Sequence, residues 1–346
     1  MAIWLIRAGS HGEYEQKFLD EKRVYVTWAG LNVDISKLQN NDALLSAMQQ
    51  RYPDAKLNKL KNWVRQVWPF AHSIAKKDLV VLPSKQQPAI YIGEITSDYV
   101  FQSNGPDPYF HWREVKWISE AIPRTQFGQD LLHSFGAFLT ICRIQRNKAE
   151  ARINAMRASN WGPDPALKGK VSEDEIEAED DANEPTNLED SGRDQIAQLI
   201  MANFAGHGLA RLVNAILKAQ GYTTYLSPEG TDGGIDILAG SNAMGFSSPR
   251  IVVQVKSEDK PIGRPEIDQL VGTMDHTKAD GALFVAWGGF KSTVYKELST
   301  RFFRVRLWSQ KELLEQLFAT YDKLDGDLRA ELPLKRIWTV AAQDED

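Results

Sequence analysis

Cysteine is nearly absent: Cys142 is the only one in 346 residues. An internal disulfide and a multi-cysteine zinc site are therefore excluded, which fits a reducing compartment and an expected cytoplasmic location. Histidine is also scarce. The six present form no His-x-x-x-His pair and no cluster with metal-ligand spacing. There is no Gly-x-x-x-x-Gly-Lys-Ser/Thr loop, so no nucleotide cofactor is expected. No apolar run approaches the ~18 residues of a membrane helix. The opening Met1-Ala2-Ile3-Trp4-Leu5-Ile6-Arg7 reads as a strand rather than a targeting segment, and no membrane association is expected.

Basic residues are missing from one stretch. Residues 171–192 hold ten acids and no Lys or Arg, and the tail Asp344-Glu345-Asp346 adds three more acids. Without these thirteen acids the formal net charge moves from −5 to +8. The remainder is mildly basic, as a phosphate-binding surface would be. The acidic stretch also lacks aromatics and carries few large apolar side chains. It is expected to be a disordered tether, with a DNA-mimicking strand over a basic cleft as the sharper alternative.

The length suits two domains, and the composition supplies enough apolar residues for two cores. Residues 1–158 read as an α+β module. Ile3–Arg7, Arg23–Trp28, Asp78–Pro83, Ala89–Ile95 and Arg113–Ile118 have strand character. Leu44–Arg51, Leu57–Val67 and Lys148–Arg157 have helical spacing. Many short strands suggest a small curled sheet or barrel. An acidic linker is placed at 159–193 and an acidic tail at 341–346.

Residues 194–340 read as an α/β domain, a mixed sheet flanked by helices. Asp194–Gln220 is expected as one long amphipathic helix, stopped by Gly221. Strands are expected at Thr223–Leu226, Ile235–Ala239, Arg250–Ser257, Ala282–Ala286 and Phe303–Trp308. Helices are expected at Pro265–Met274, Ser292–Arg301 and Lys311–Leu324.

The chemistry concentrates in Gly230-Thr231-Asp232-Gly233-Gly234-Ile235-Asp236 and in Gln254-Val255-Lys256. Strand side chains alternate, so Gln254 and Lys256 share one face, with Asp236 opening the preceding strand. Gly233-Gly234 permits a tight turn and close approach of a DNA backbone. Asp236, the Gln254 amide oxygen and the Val255 carbonyl form an oxygen ligand set suited to Mg²⁺, with Mn²⁺ also possible. Lys256 would orient or deprotonate the attacking water and stabilise developing charge. Taken alone, Gln-x-Lys is also what any half-exposed strand shows.

The surrounding order adds specificity. Gly208-Leu209-Ala210-Arg211-Leu212-Val213, Gly221-Tyr222, Asp232-Gly233-Gly234-Ile235-Asp236, Gln254-Val255-Lys256 and Gly289-Phe290 follow one another, and Pro333–Trp338 follows these. With this ordered set, residues 204–340, about 40% of the chain, resemble the catalytic domain of Mrr-like restriction endonucleases. These are a branch of the PD-(D/E)XK nucleases. The resemblance implies that Asp236, Gln254 and Lys256 are the metal-binding and catalytic trio, with Asp232 in the same loop. The chain departs from the family at Ala210, where a glutamate is common on the first helix. His207, three residues earlier on the same helical face, is the candidate replacement; a locally bonded helix-start histidine is the other reading. Lys260, Arg264, Lys278, Lys291 and Ser292 are candidates for holding the DNA backbone.

The first module is rich in aromatics. Tyr25-Val26-Thr27-Trp28, Lys77-Asp78-Leu79-Val80-Val81 and Ile92-Gly93-Glu94-Ile95 with Tyr99 resemble the EVE and YTH relatives of the PUA-like fold. That resemblance implies a reader of modified bases. Trp28, Trp68, Phe70 and Tyr99 are the candidate cage on which an extruded base would stack. Ser10, His11 and Asp34 are candidates for hydrogen bonds to its edge. The expected whole is a modification-dependent, type IV-like restriction endonuclease acting on double-stranded DNA, as a homodimer or larger. A catalytically weakened reader and an RNA-directed antiviral nuclease are the alternatives.

Overall fold

The computed structural model describes residues 1–137, 139–168, 188–230 and 234–337, with residues 168, 292 and 297–300 described by backbone alone. The chain divides into two compact units, one over Met1–Ser191 and one over Gly192–Thr339. Among the described residues no helix is long and apolar enough to cross a membrane.

The first unit runs β1 (Ile3–Ile6), α1 (Glu15–Glu21), β2 (Arg23–Val26), α2 (Asn41–Arg51), α3 (Leu57–His72), β3 (Leu79–Pro83), β4 (Ala89–Ile95), β5 (Val100–Phe101), β6 (His111–Trp117), β7 (Ile122–Pro123), α4 (Gln129–Phe135), β8 (Ile141–Ile144), α5 (Ala149–Ala158) and α6 (Pro165–Lys168). Its sheet follows the order β2-β6-β4-β3-β1-β8, with β5 on β6 and β7 on β4. Only β1 and β3 pair in parallel. Strand alternation builds two cores. Trp4 and Ile6 pack with Val64, Val67 and Phe70 of α3, while Ile3 and Leu5 pack with Leu131, Leu132 and Phe135 of α4 and Ile153 of α5. Helices on both faces explain why all four residues of β1 are buried.

The expected barrel does not close. Among the described residues β2 and β8 end the path without pairing to each other, leaving a half-barrel. A closed barrel has one interior to fill, whereas this sheet has an apolar layer on each side and must stay open to receive both. The span 159–193, expected as a linker, includes described residues at both of its ends. Asp164 is fully buried and bonded to Arg152, and α7 (Leu188–Phe204) is already helical at its start. Most of the acidic stretch, and the whole acidic tail, lie outside the described residues.

The second unit continues with α8 (His207–Ala219), β9 (Thr223–Leu226), β10 (Ile237–Ser241), β11 (Ser247–Lys256), α9 (Arg264–Thr277), β12 (Gly281–Ala286), α10 (Ser292–Arg301), β13 (Val305–Trp308), α11 (Gln310–Thr320) and α12 (Gly326–Glu331). The sheet order is β13-β12-β11-β10-β9. β9, β10 and β11 are antiparallel, and β11, β12 and β13 are parallel. One face, carrying Ile237, Val253, Leu283 and Val285, packs on α8 and α11. The other, carrying Val252, Ala282, Phe284 and Ala286, packs on α9 and on Val294 of α10.

The single helix expected over Asp194–Gln220 is two helices. Gly206 breaks it at φ 64, ψ −132, a conformation that glycine adopts without a Cβ clash. The Gly206 N–H is held by Ser257 Oγ at 3.1 Å, which fixes the start of α8 at the end of β11.

Candidate active site

The register of β10 on β11 assembles the site. Ile237 faces Val253, so Asp236 comes opposite Gln254 as the ladder ends. Asp236, Gln254 and Lys256 all fall on the face opposite the one bearing Ile237 and Val253, which is the α9 face. Lys256 is the diagonal same-face neighbour of Asp236, a relation that places Cα atoms about 7–8 Å apart. In the parallel pairing with β12, Gln254 lies beside Phe284 and Lys256 beside Ala286.

The backbone contributes too. Asp236 N–H donates to Val253 O at 2.9 Å, and Val255 N–H donates to Asp236 Oδ2 at 2.7 Å. Along β11 the alternate carbonyls of Arg250 and Lys256 turn to the β12 side, accepting from Asp280 and Trp287. Val255 therefore turns its N–H and its carbonyl toward β10, where Asp236 stands. Gln254 is 7% exposed and Lys256 is half-buried. Among the described residues, neither side chain makes a hydrogen bond or ion pair. Gly234, at φ +66, carries the chain into Asp236, and a Cβ there would lie 3.8 Å from Gln269 Nε2 of α9. Asp232 lies outside the described residues.

Oxygen donors dominate this arrangement: one carboxylate, one amide and one main-chain carbonyl. Among the described residues no group of three or more His, Cys, Asp or Glu comes together. The set fits a hard cation that keeps water and phosphate ligands, and it does not fit a closed all-protein cage.

His207 opens α8, on the layer that covers the opposite face of the sheet, and its described tie to the site runs through the neighbouring Gly206–Ser257 bond. Ala210 is buried, at 2% exposure. Lys260 and Lys291 are exposed, in two loops laced together beyond the ends of β11 and β12. There Ile262 N–H donates to Gly289 O and Lys291 N–H to Ile262 O, both at 2.9 Å. Arg264 starts α9 and pairs with Asp268 at 3.3 Å. Asp268 also holds Arg301 at 2.6 Å, and that hydrogen bond keeps its carboxyl below the usual range. Ser292 heads α10. Lys278 caps the far end of α9, beside the start of β12, and so stands away from the other cations. Sequence reasoning missed Ser257 and Gln269, since single polar residues carry no motif.

The candidate base-reading residues fall in separate places. Trp28 packs edge-on to Trp63 at 6.4 Å, and Trp68 stacks on His72 at 3.8 Å. Phe70 is fully buried and edge-on to Tyr99 at 6.3 Å, so it serves the core and offers no stacking face. Tyr99 is anchored: its hydroxyl donates to His111 Nδ1 at 2.7 Å and accepts from Ile35 N–H at 3.3 Å. His111 Nε2 donates to Leu31 O at 2.6 Å, and burial lowers the histidine pKa to about 4, keeping it neutral. Burial likewise pushes the Tyr99 phenol up. Of the four aromatics, Tyr99 lines a cavity of about 550 Å³ with Ser36, Ile74, Lys76, Asp98 and Arg113. Ser10 and His11 are exposed on the loop after β1. Asp34 is spent locally, accepting from Ser36 N–H and Oγ and pairing with Lys37.

A carboxylate and a Gln-x-Lys thus stand on adjacent strands of a helix-flanked mixed sheet. Residues 201–317 match the family described as a restriction endonuclease, Mrr_cat, and this stretch of the second unit is a domain of that type. Residues 4–130 match a family described as a domain of unknown function, DUF8426. No curated protein matches the chain. Among solved structures it is similar to the DNA modification-dependent restriction endonuclease AspBHI, at 15% identity, TM-score 0.33, over 81% of this chain and 74% of that one. It is similar to the MspJI restriction endonuclease in complex with a 27-mer oligonucleotide, at 13% identity, TM-score 0.31, over 95% and 79%. A third, the protein of unknown function AF1548, is 18% identical with TM-score 0.25 over 38% and 78%.

Proposed function

We propose that this protein is a modification-dependent, type IV-like restriction endonuclease. Its second unit hydrolyses DNA phosphodiester bonds, and its first unit reads a modified base. The observation that carries the hydrolytic half is the shared face of Asp236, Gln254 and Lys256, with the Val255 backbone turned to the same carboxylate. Asp236, the Gln254 amide oxygen and the Val255 carbonyl would hold a divalent cation, Mg²⁺ or Mn²⁺. Such an ion supplies Lewis-acid polarisation of a phosphoryl oxygen. The Lys256 ammonium, free of ion pairs among the described residues, orients the attacking water and offsets charge building on the phosphorane. Lys260 and Lys291 hold the DNA backbone beyond the strand ends, and Asp232, Arg264 and Ser292 are assigned to the same role. His207, next in the chain to Gly206, is assigned an assisting role from the α8 side, its neighbour being held by Ser257.

Base reading is assigned to the first unit, where the cavity beside Tyr99 has the size of a small-molecule site. Trp28 and Trp68 are half-buried and keep part of their ring faces at the surface. Cutting both strands requires two centres, so the active form on DNA is a homodimer or larger.

The test is digestion of plasmids bearing different base modifications, with Mg²⁺ and with chelator, by wild type, Asp236→Ala and Lys256→Ala. Wild type should cut a modified plasmid only with metal, and both variants should fail. Equal cutting of every plasmid would reject modification dependence, and cutting in chelator would reject the metal. Full activity of His207→Ala would remove that residue from the machinery.

One observation favours a second reading. The described site has a single carboxylate, and Ala210 puts a methyl where the Mrr resemblance places a glutamate. A reader that binds without cutting would show affinity for a modified plasmid and no metal-dependent nicking. Competition between DNA and RNA in the same assay decides the substrate class.

A further inference from the structure

α9 packs on β11 and β12, and among the described residues the same face of β9 and β10 is left bare beside it. Tyr225 and Leu238 face each other across that bare corner, 57% and 38% exposed. The β10–β11 turn adds Met244 at 70% and Phe246 at 75% exposure. Gly245 packs back on Thr223, so the turn lies over the end of β9. The result is one apolar strip running along the sheet edge from near Asp236 to the hairpin tip.

We infer that this strip is the surface on which a second copy of the chain docks. Its side chains, Thr223, Tyr225, Leu238, Met244 and Phe246, carry no charge. DNA phosphates need cations, and Arg250, on the adjoining strand β11, is held by Asp280. β9 is also the last strand of the sheet, with no partner on its outer side among the described residues. An edge strand is self-complementary about a two-fold axis, because it can pair antiparallel with its own copy. The four apolar side chains expose on the order of 500 Å², more than half of the about 800 Å² that each partner gives a standard interface. The edge strand and its flanking turns supply the remainder. Pairing would continue one sheet through both copies and set two centres on one assembly. That purpose rests on the proposed double-strand cleavage; the interface itself does not.

The test uses the full chain in chelator without DNA, followed by sedimentation velocity across a wide concentration range. Wild type should dimerise reversibly. Tyr225→Lys and Phe246→Ser should each weaken the dimer by roughly tenfold or more, the size of effect that removing an exposed anchor has at an interface. Thermal melting, read at concentrations low enough that every protein is monomeric, should be unchanged, since both side chains then stand in solvent. Phe303→Ser removes another exposed phenylalanine, 92% exposed just before β13 at the opposite sheet edge, and should leave the dimer intact. A wild type that stays monomeric throughout overturns the inference, and so does a dimer that survives both substitutions. A parallel titration of the same proteins with duplex DNA in chelator provides the second readout: if the substitutions weaken DNA binding by a monomer, the strip is a nucleic-acid surface and the inference fails. None of these readouts depends on cleavage, so the nuclease reading stands or falls separately.

Discussion

Asp236 accepts the backbone N–H of Val255 at 2.7 Å, which locks the carboxylate against the middle residue of Gln254-Val255-Lys256. Asp236→Asn keeps the shape and an acceptor for that N–H but removes the charge. It should fold normally and lose at least about a hundredfold in cleavage, the scale of removing one preorganised electrostatic group. Asp236→Ala should also lose about 1.5–3 kcal/mol of stability, because a hydrogen bond to a charged group goes with it. Plasmid nicking and thermal melting, read together, separate the two effects. Equal cleavage by all three proteins would remove Asp236 from the chemistry.

Gln254 stands opposite Asp236 at 7% exposure. Gln254→Glu adds a second carboxylate to the oxygen set. The metal concentration for half-maximal cleavage should fall by about tenfold, since ligand charge tunes hard-cation affinity. Without metal the same variant should melt lower, by about 1–3 kcal/mol, because a second negative charge has been buried opposite the Asp236 carboxylate. Added Mg²⁺ should restore the melting temperature. Lys256→Met should bind DNA in chelator like wild type and fail to cut. Metal titration of melting and of nicking checks both variants.

The sequence exposed this centre because period-two alternation and an ordered motif point the same way at Asp236, Gln254 and Lys256. The strand Thr223–Leu226 and helix Ser292–Arg301 were readable to the residue, since Gly221 and Lys291-Ser292 punctuate them. The break at Gly206 was not, because one glycine in an apolar pattern is tolerated as often as it breaks a helix, and its cap comes from distant Ser257. α3 runs past Pro69 to His72, where proline predicts a stop, because buried Phe70 anchors the last turn. The aromatic cage was the weakest reading. Trp28, Trp68, Phe70 and Tyr99 look alike in sequence, and only packing separates buried Phe70 from cavity-lining Tyr99. His111, stacked between Tyr99 and Phe101, carries no local signal at all.

That histidine makes stability depend on pH. Burial lowers its pKa to about 4 in the folded protein, against about 6.5 when unfolded. Between those values the unfolded chain binds the extra proton, so stability falls as pH drops from about 6.5 toward 4. The full effect is about 3 kcal/mol at most. Glu15 acts in the opposite sense near its own range, because burial raises its pKa. His111→Phe keeps a ring between Tyr99 and Phe101 but loses the bonds to Tyr99 and Leu31. It should be less stable than wild type at pH 8 and should lose less on going to pH 5. Denaturant unfolding at the two values decides this; parallel losses would show that another group titrates.

The last described turn before the acidic stretch bears on where the first unit ends. Asp164 is 0% exposed, takes a hydrogen bond from Gly128 N–H at 2.9 Å and holds Arg152, whose other partner is Asp130. Cutting the chain after Ala158 would remove Asp164 and leave the half-buried Arg152 with Asp130 and the Asn147 carbonyl. It would also remove Trp161, which donates from Nε1 to Ile118 O at 3.0 Å. Breaking a buried ion pair from one side costs about 3–5 kcal/mol. A 1–168 fragment should therefore melt well above a 1–158 fragment, and Asp164→Ala in the longer one should reproduce most of the gap. Asp164→Asn should recover part of it, since an amide oxygen can still accept from Gly128 and Arg152 but carries no charge. If the two fragments melt together, the residues after Ala158 add nothing to this fold and the unit ends where α5 does.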